Sequence, residues 1–287
     1  MLTFLKRCAL IVALVMMGTA PRAAAQSVGN ALSQMGSAFS ASQPMTQEDE
    51  YYLGRAVAAN ILEQYPPYQK NPSLTAYLNK ICRALTLNSA KPVLYNGYHV
   101  LLLDSSEINA FATSGGHIFI TRGLASAAAS EDGLAAVLAH EIAHIQLGHG
   151  LALIKDMKLT SELSAVAERA GATASAAAGL EAQRGTLFTN SVRDMVNTMV
   201  KNGYSRTQEF AADTAALTLL AGAGYDPTAL VDVLRVLEQT QARSQGGFNT
   251  THPTPALRIS AVERALRTLP KNATRPARAP RFEAMPK

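Results

Sequence analysis

The stretch LAAVLAHEIAHIQLGHG, residues 134–150, constrains this chain most, because it sets histidines and a glutamate in an apolar, helix-forming background. His140 and His144 are four residues apart, so on a helix both rings lie on one face and can reach one metal ion. Glu141 lies beside them, where its carboxylate can contact a water molecule on that ion. Buried imidazoles and a buried carboxylate are costly without a metal or polar partners. The pattern therefore favours a metal site over an Ala/Leu-rich helix that merely contains histidines.

His149 is a different case within the same stretch. It follows His140 by nine residues, which on one continuous helix places it on the opposite side. We expect it to be structural.

A catalytic zinc ion needs three protein ligands and an open position, so the first helix must find a third ligand elsewhere. The stretch GYSRTQEFAADTAALTLL, residues 203–220, offers Glu209 and Asp213, again four residues apart on an apolar helical background. Glu209 can complete a His₂Glu ligand set. Asp213, one turn on, can accept the free ring N–H of a ligand histidine. The alternative for this pair is an exposed salt-bridge face, which the surrounding Phe and Ala residues argue against.

The charge of the chain does not indicate a nucleic-acid partner. There are 26 basic and 21 acidic residues, but eight of the basic ones lie in residues 1–25 and 271–287. The remainder holds 18 basic against 20 acidic side chains, so it lacks the basic surplus that nucleic-acid binding requires.

The two ends of the chain differ from its middle. Residues 1–25 have the order of a secretory signal peptide, with Lys6 and Arg7 before an apolar run and alanines up to Ala25. We expect cleavage near Ala25 and a periplasmic location; the alternative is a buried first helix. Residues 26–45 are typical of a flexible linker, and 269–287 of a basic, Pro-rich disordered tail. No further apolar stretch is long enough to cross a membrane, and peripheral membrane contact stays open.

The middle of the chain, residues 46–268, is predicted to be one domain of mostly helical α+β class. Thr46 and Asp49 form the pattern of a capping box at the start of a helix. The only β pattern is YHVLLLDS followed by INAFATSGGHIFITRGL, with a hairpin turn at Ser114-Gly115-Gly116. Everything from Glu131 to Thr268 has a helical pattern.

Taken together, these stretches resemble peptidase family M48, a family of zinc metallopeptidases. The matching segments, which cover about residues 46–265 in the family's order, are EDEYYLGRAVAANI, NPSLTAYLNKI, NAFATSGGHIFITRGL, LAAVLAHEIAHIQLGH, SRTQEFAADTAAL and THPTPALRI. The resemblance is to the soluble, exported branch. It implies a gluzincin-type fold with a small antiparallel β-sheet beside the active-site helix, one Zn²⁺ per chain, and cleavage of unfolded or misassembled envelope proteins.

The resemblance also implies roles for individual residues. The zinc ligands would be His140, His144 and Glu209, the general base Glu141, and the partner of a ligand histidine Asp213. The sheet edge that binds extended substrate would be Asn109, Ala110 and Phe111. The segment THPTPALRI would bring His252 and Arg258 to the metal. In one subgroup of the family a histidine at the position of His252 holds the enzyme latent, whereas Arg258 either stabilises charge at the site or only pairs with an acid.

Two alternatives to a peptidase remain open at this stage. One is a latent assembly or chaperone-like factor that binds clients through the groove with little or no hydrolysis. The other is a structural zinc protein with a closed coordination sphere, in which His252 is the fourth ligand.

Overall fold

A computed structural model describes residues 45–87, 89–156, 192–193, 196–197, 203–241, 252, 255–269 and 278–284. The predicted signal peptide and all of the predicted linker except Met45 lie outside these residues. Apart from Met45, the described residues belong to one compact unit, formed by Thr46–Leu159 and Ser191–Lys287.

The described elements are mostly helices, with one small sheet among them. In chain order they are α1 (Gln47–Gln64), α2 (Pro72–Leu87), β1 (His99–Leu103), β2 (Ala110–Thr113), β3 (His117–Thr121), α3 (Arg122–Ala127), α4 (Glu131–Gln146), α5 (His149–Asp156), α6 (Arg206–Gly222), α7 (Ala229–Gln241), α8 (Pro255–Leu266) and α9 (Ala279–Glu283). The α+β class is confirmed. None of the described helices is both long and apolar enough to cross a lipid bilayer.

The sheet has the strand order β1-β3-β2 and is mixed, not antiparallel as expected. The predicted hairpin is present: β2 and β3 pair antiparallel across a short 3₁₀ turn, Ser114–Gly116. β1, however, runs parallel to β3, because the loop after β1 passes over the place that β3 then fills. This arrangement leaves β2 at an edge of the sheet, next to α4.

Helix α4 passes through the middle of the core. Its residues from Gly133 to His144 are all buried, and four of them are alanines on the sides where neighbouring helices pack. Ala212 and Ala216 on α6 are also fully buried. Small side chains on both helices allow their axes to come close, and this brings the polar residues of α6 next to those of α4.

Helix α1 packs against the 3₁₀ turn of the hairpin. It begins at the predicted capping box, in which Thr46 Oγ1 accepts from the Asp49 backbone N–H at 3.2 Å and Asp49 accepts from the Thr46 N–H at 3.0 Å. Gly54 lies where a Cβ atom would be 1.6 Å from the Ser114 carbonyl oxygen. Only glycine permits this close approach of helix and turn.

The C-terminal segment is partly ordered, in contrast to the disordered tail expected over residues 269–287. Arg278 donates to Asp132 Oδ1 at 2.8 Å, and Arg281 Nε donates to Glu131 Oε2 at 2.7 Å. Both acids lie in the first turn of α4. Basic side chains of the tail thus bind the acidic N-terminus of the central helix, a contact that composition alone does not reveal.

Candidate metal and catalytic site

The two predicted metal-binding helices meet at one point in the core. His140 and His144 on α4, Glu209 on α6 and His252 before α8 each offer a ligand atom, and these four atoms lie within 4.8 Å of one another. Among the described residues, this is the group of histidine, cysteine and acidic side chains that has the geometry of a metal site.

The separations between the four donor atoms fit zinc. With metal–ligand bonds of about 2.1 Å, the edges of a tetrahedron are about 3.4 Å long. The Nε2 atoms of His140 and His144 are 3.0 Å apart, and Glu209 carboxylate oxygens lie 3.5 and 3.4 Å from them. His252 Nδ1 lies 3.2 Å from His140 Nε2 and 3.0 Å from Glu209 Oε1. The donor set of imidazoles and one carboxylate is also the set that zinc prefers.

The electrostatics of the cluster favour a positive charge at this point. Burial and the charge of Arg258 act to lower the pKa of His140, but hydrogen bonds with Asp213 and Glu209 outweigh them and raise it to about 9. Burial would raise the pKa of Glu209, yet the surrounding cationic groups hold it well below its usual range. An anionic Glu209 between imidazoles is what a cation would require.

Glu141 lies beside the cluster without binding any of the predicted ligands. Both of its carboxylate oxygens are buried and have no hydrogen-bond partner in the part of the chain that the structure describes, and burial raises the pKa of the group. The nearest basic atom is Nε2 of His252, 3.5 Å from Glu141 Oε1. Burying a carboxylate without a partner is unfavourable, so Glu141 fits a site in which a cation, a water molecule or a substrate group contacts it.

Asp213 and Arg258 support the cluster from behind. Asp213 Oδ1 lies 3.0 Å from His140 Nδ1, the ring nitrogen that faces away from the metal position. Arg258 donates to both Asp213 oxygens, and its Nη1 is 2.8 Å from Glu209 Oε2. Asp213 is thus located where it can fix the orientation of His140. Of the two options for Arg258, the geometry favours pairing with acids, and it pairs with two.

The prediction for His149 is wrong in its geometry. Helix α4 ends at Gln146, and Gly148 adopts a φ of +70°, so the chain turns before α5 begins. His149 therefore faces back toward the site, with its Nδ1 2.9 Å from His144 Nδ1. His149 thus contacts the Nδ1 atom of His144, just as Asp213 contacts the Nδ1 atom of His140. Gly148, two residues after the helix, indicates this turn in the sequence, because glycine at that position commonly ends a helix.

Tyr204 is a site residue that no sequence pattern singles out. It precedes Ser205, the N-cap of α6, and its ring stacks on His144 with the centroids 4.0 Å apart. Its hydroxyl is buried and has no hydrogen-bond partner among the described residues.

The predicted substrate-binding residues lie at or beside β2, an edge strand of the sheet among the described strands. The Asn109 carbonyl accepts from the Thr121 N–H at 3.1 Å, which makes this pair one of the hydrogen-bonded pairs of the β2–β3 ladder. Since such pairs alternate along an antiparallel ladder, Phe111 also bonds to β3, whereas Ala110 and Ala112 turn their backbone groups outward. The Ala110 N–H is occupied by the Asn109 side chain, at 2.9 Å.

The whole site is closed to solvent in this structure. The four cluster residues and Glu141 are at most 1% exposed, and Ala110 and Ala112 are at most 2% exposed. The His252 ring lies between the other donors and Glu141, with its Nδ1 3.0 Å from Glu209 Oε1 and its Nε2 3.5 Å from Glu141 Oε1.

Comparison with known proteins is consistent with this geometry. The model of peptidase family M48 matches residues 69–266, a range that contains every residue of the site. The β-barrel assembly-enhancing protease of Escherichia coli K12 is 30% identical over 232 residues, which are 78% of this chain and 44% of that protein. The metalloprotease LoiP of the same organism is 27% identical over 193 residues, which are 67% of this chain and 70% of that protein.

A mitochondrial relative extends the range of similar proteins. The metalloendopeptidase OMA1 of Schizosaccharomyces pombe is 27% identical over 191 residues, 66% of this chain and 52% of that protein. The chain thus spans about half the length of several of these relatives.

Proposed function

Because the chain belongs to peptidase family M48, we propose that it is a zinc-dependent endopeptidase that cleaves extended segments of other proteins. The observation that carries this proposal is the buried cluster of His140, His144 and Glu209 beside the carboxylate of Glu141, which has no hydrogen-bond partner among the described residues. A metal site with a free carboxylate next to it is the arrangement that metal-assisted peptide hydrolysis needs.

Each side chain has a distinct task in this proposal. His140, His144 and Glu209 hold the zinc ion, which when bound supplies a Lewis acid that activates water and polarises a peptide carbonyl. The Glu141 carboxylate accepts a proton from the attacking water molecule and delivers it to the nitrogen of the leaving amine. Asp213 accepts the Nδ1–H of His140 and holds that ring in one orientation. His149 shares a hydrogen bond with the Nδ1 atom of His144 and orients that ring in the same way.

Substrate would bind as an added strand on β2. The outward backbone groups of Ala110 and Ala112 are spaced to pair with an extended peptide, while Asn109 and Phe111 fix the strand to β3. For this pairing the Asn109 side chain must release the Ala110 N–H. Only an extended backbone can pair in this way, which favours unfolded over compact proteins as substrates.

In this proposal the enzyme is latent in the present conformation because His252 blocks the site. Its Nδ1 occupies a fourth donor position and its Nε2 faces Glu141. Release of His252 would open both the fourth coordination position and the base.

The same observation favours a second candidate. A site with four protein donors and no exposed surface is typical of structural zinc, and such a protein could act as an assembly factor that binds clients without cleaving them. The two functions differ in what His252 does: it restrains a peptidase, or it completes a structural centre.

The location and the natural substrates are further proposals. Residues 1–25 have the pattern of an export signal, and one relative is named for enhancing the assembly of β-barrels. We place the protein in the bacterial periplasm, where unfolded or misassembled envelope proteins would be its substrates.

The decisive experiment compares four samples of the purified, zinc-loaded protein on unfolded casein: wild type, Glu141→Gln, His252→Ala, and His252→Ala with a chelator. A peptidase predicts that His252→Ala cleaves at least as fast as wild type, and that Glu141→Gln and chelation abolish cleavage. A structural centre predicts no cleavage in any sample and loss of bound zinc in His252→Ala. Zinc per chain is measured in every sample, so that a missing metal is not mistaken for a missing activity.

A further inference from the structure

The hydroxyl of Tyr204 has no use in the mechanism described above. The residue is 5% exposed, and among the described residues its hydroxyl has no hydrogen-bond partner. A buried hydroxyl without a partner costs free energy, so natural proteins rarely keep one unless something else binds it. A phenylalanine at this position would stack on His144 equally well.

The Tyr204 hydroxyl faces a small cavity beside the metal site. The cavity is partly open and offers about 10 Å³, room for about one water-sized group such as a side-chain hydroxyl. It is lined by Tyr204, His144, Ser114 and Gly150 together with other residues. A Cβ atom on Gly150 would lie 3.4 Å from Ser114 Oγ and 3.9 Å from the Tyr204 hydroxyl. Both hydroxyl groups are therefore within reach of one small guest, and the missing side chain of Gly150 leaves the space for it.

The cavity is also located on the expected path of the substrate. Ala112, Thr113 and Ser114 line it, and these residues form the C-terminal end of β2 and the turn that follows. His144, a predicted zinc ligand, lines the cavity from the side of the metal cluster. A peptide paired with β2 would thus carry one of its side chains past the opening, close to the bond that is cleaved.

We propose that this cavity is a specificity subsite that binds one small hydroxyl-bearing side chain of the substrate, serine or threonine, through the Tyr204 hydroxyl. The inference rests on the proposed peptidase function and adds to it a preference for one type of substrate side chain. A guest hydroxyl can both donate and accept, which matches the paired hydroxyls of Tyr204 and Ser114. Long and aromatic side chains do not fit the volume.

The test measures binding first, so that it does not depend on hydrolysis. The zinc-loaded Glu141→Gln, His252→Ala double variant lacks the base and the blocking histidine. It is immobilised and exposed to a library of unstructured peptides, and the retained peptides are sequenced. We expect one position to be enriched in serine and threonine about tenfold over leucine and aspartate. Adding Tyr204→Phe should reduce the preference for serine over alanine about tenfold, the loss of one hydrogen bond, while zinc affinity stays unchanged.

Two further variants separate the cavity from general packing. Gly150→Ala fills part of the cavity at ordinary contact distances, so it should reduce retention of serine and threonine peptides and spare glycine peptides. Gly222→Ala, where a Cβ atom would meet no atom of the described residues within 4 Å, is its matched control and should change no preference. Tyr225→Phe is the control for a buried hydroxyl that already has a partner, Glu131 at 3.1 Å. It should lower stability and leave the preference intact.

The outcomes separate this inference from the proposed function. Cleavage of casein by His252→Ala, with no position that selects small hydroxyl side chains or with a preference that Tyr204→Phe does not change, would overturn the subsite and keep the peptidase. The cavity would then hold only a water molecule. Selection of serine and threonine peptides without any hydrolysis would support the subsite and overturn the peptidase. A double variant that retains no peptide at all would count against the subsite directly.

Discussion

Arg258 and Asp213, 45 residues apart in the chain, bind each other at two points: Nε donates to Oδ2 at 2.8 Å and Nη2 donates to Oδ1 at 2.7 Å. Both side chains are at most 2% exposed. Through this pair, α8 fixes the carboxylate that contacts His140. The position of a metal ligand therefore depends on a helix that contributes no ligand of its own.

Replacing Arg258 with methionine should destabilise the protein strongly. The variant leaves the buried carboxylate of Asp213 without its arginine partner, and breaking a buried pair in this way costs about 3–5 kcal/mol. Urea denaturation measures the change in the free energy of unfolding. The control is Arg235→Met, which breaks an exposed pair with Glu263 and should cost about 1 kcal/mol or less. Equal losses in the two variants would contradict the structural role of Arg258.

Replacing Asp213 with asparagine should weaken zinc binding. The variant keeps the size of the side chain but removes the charge that faces His140 Nδ1, and loss of such a partner lowers metal affinity about 10–100-fold. Competition with a chromogenic chelator gives the dissociation constant. Asp232→Asn, on the exposed face of α7, is the matched control and should bind zinc as wild type does. An Asp213→Asn protein with unchanged zinc affinity would show that the contact with His140 has no effect on the metal.

Replacing Gly54 with alanine should separate α1 from the hairpin turn. The added methyl group would lie 1.6 Å from the Ser114 carbonyl oxygen, so backbone on one side must move, at a cost of about 3 kcal/mol. Thermal unfolding followed by circular dichroism measures the loss. Gly222→Ala, at the end of α6, where no described residue lies within 4 Å of an added Cβ atom, should instead be neutral or stabilise by up to about 1 kcal/mol. If Gly54→Ala unfolds at the wild-type temperature, the close approach of helix and turn is not as described.

The contact between the C-terminal segment and α4 should weaken in acid. Burial tends to raise the pKa of Glu131, but hydrogen bonds from Arg281 and Tyr77 outweigh it, and the net pKa lies below its ordinary value. Tyr225 and Arg278 also face this carboxylate. A carboxyl group whose pKa is lower in the folded state stabilises the fold above its unfolded pKa, about 4.3 for glutamate, and this stability is lost as the pH falls through the folded value.

The measurement is the difference in unfolding free energy between wild type and Glu131→Gln as a function of pH. Wild type should be more stable by a constant amount at pH 6–7, and the difference should shrink below about pH 4. Arg281→Gln should reduce the same pH-dependent difference. A difference that is independent of pH would mean that the charge of Glu131 contributes nothing to the contact.

The sequence determined the local chemistry of this protein. The spacing of His140 and His144 on a helix, the pairing of Glu209 with Asp213 on another, and the capping box at Thr46 are all set by residues within one or two turns. Helical periodicity is a short-range property, so these features could be inferred without knowing how the helices pack. The identity of the metal and the class of fold followed from the same local patterns and from the family they resemble.

Only the tertiary structure decided what surrounds the site. The turn at Gly148 brings His149 to His144, and the packing of α6 on α4 sets Tyr204 against the same ring. Arg258 on α8 and His252 ahead of that helix reach His140 from more than a hundred residues away in the chain. The sheet is mixed because the loop after β1 crosses over the place of β3. These contacts depend on the close approach of helices at buried alanines and on the positions of the turns between elements. Helix packing and chain direction are set by contacts between distant parts of the chain, so a local sequence pattern does not predict them.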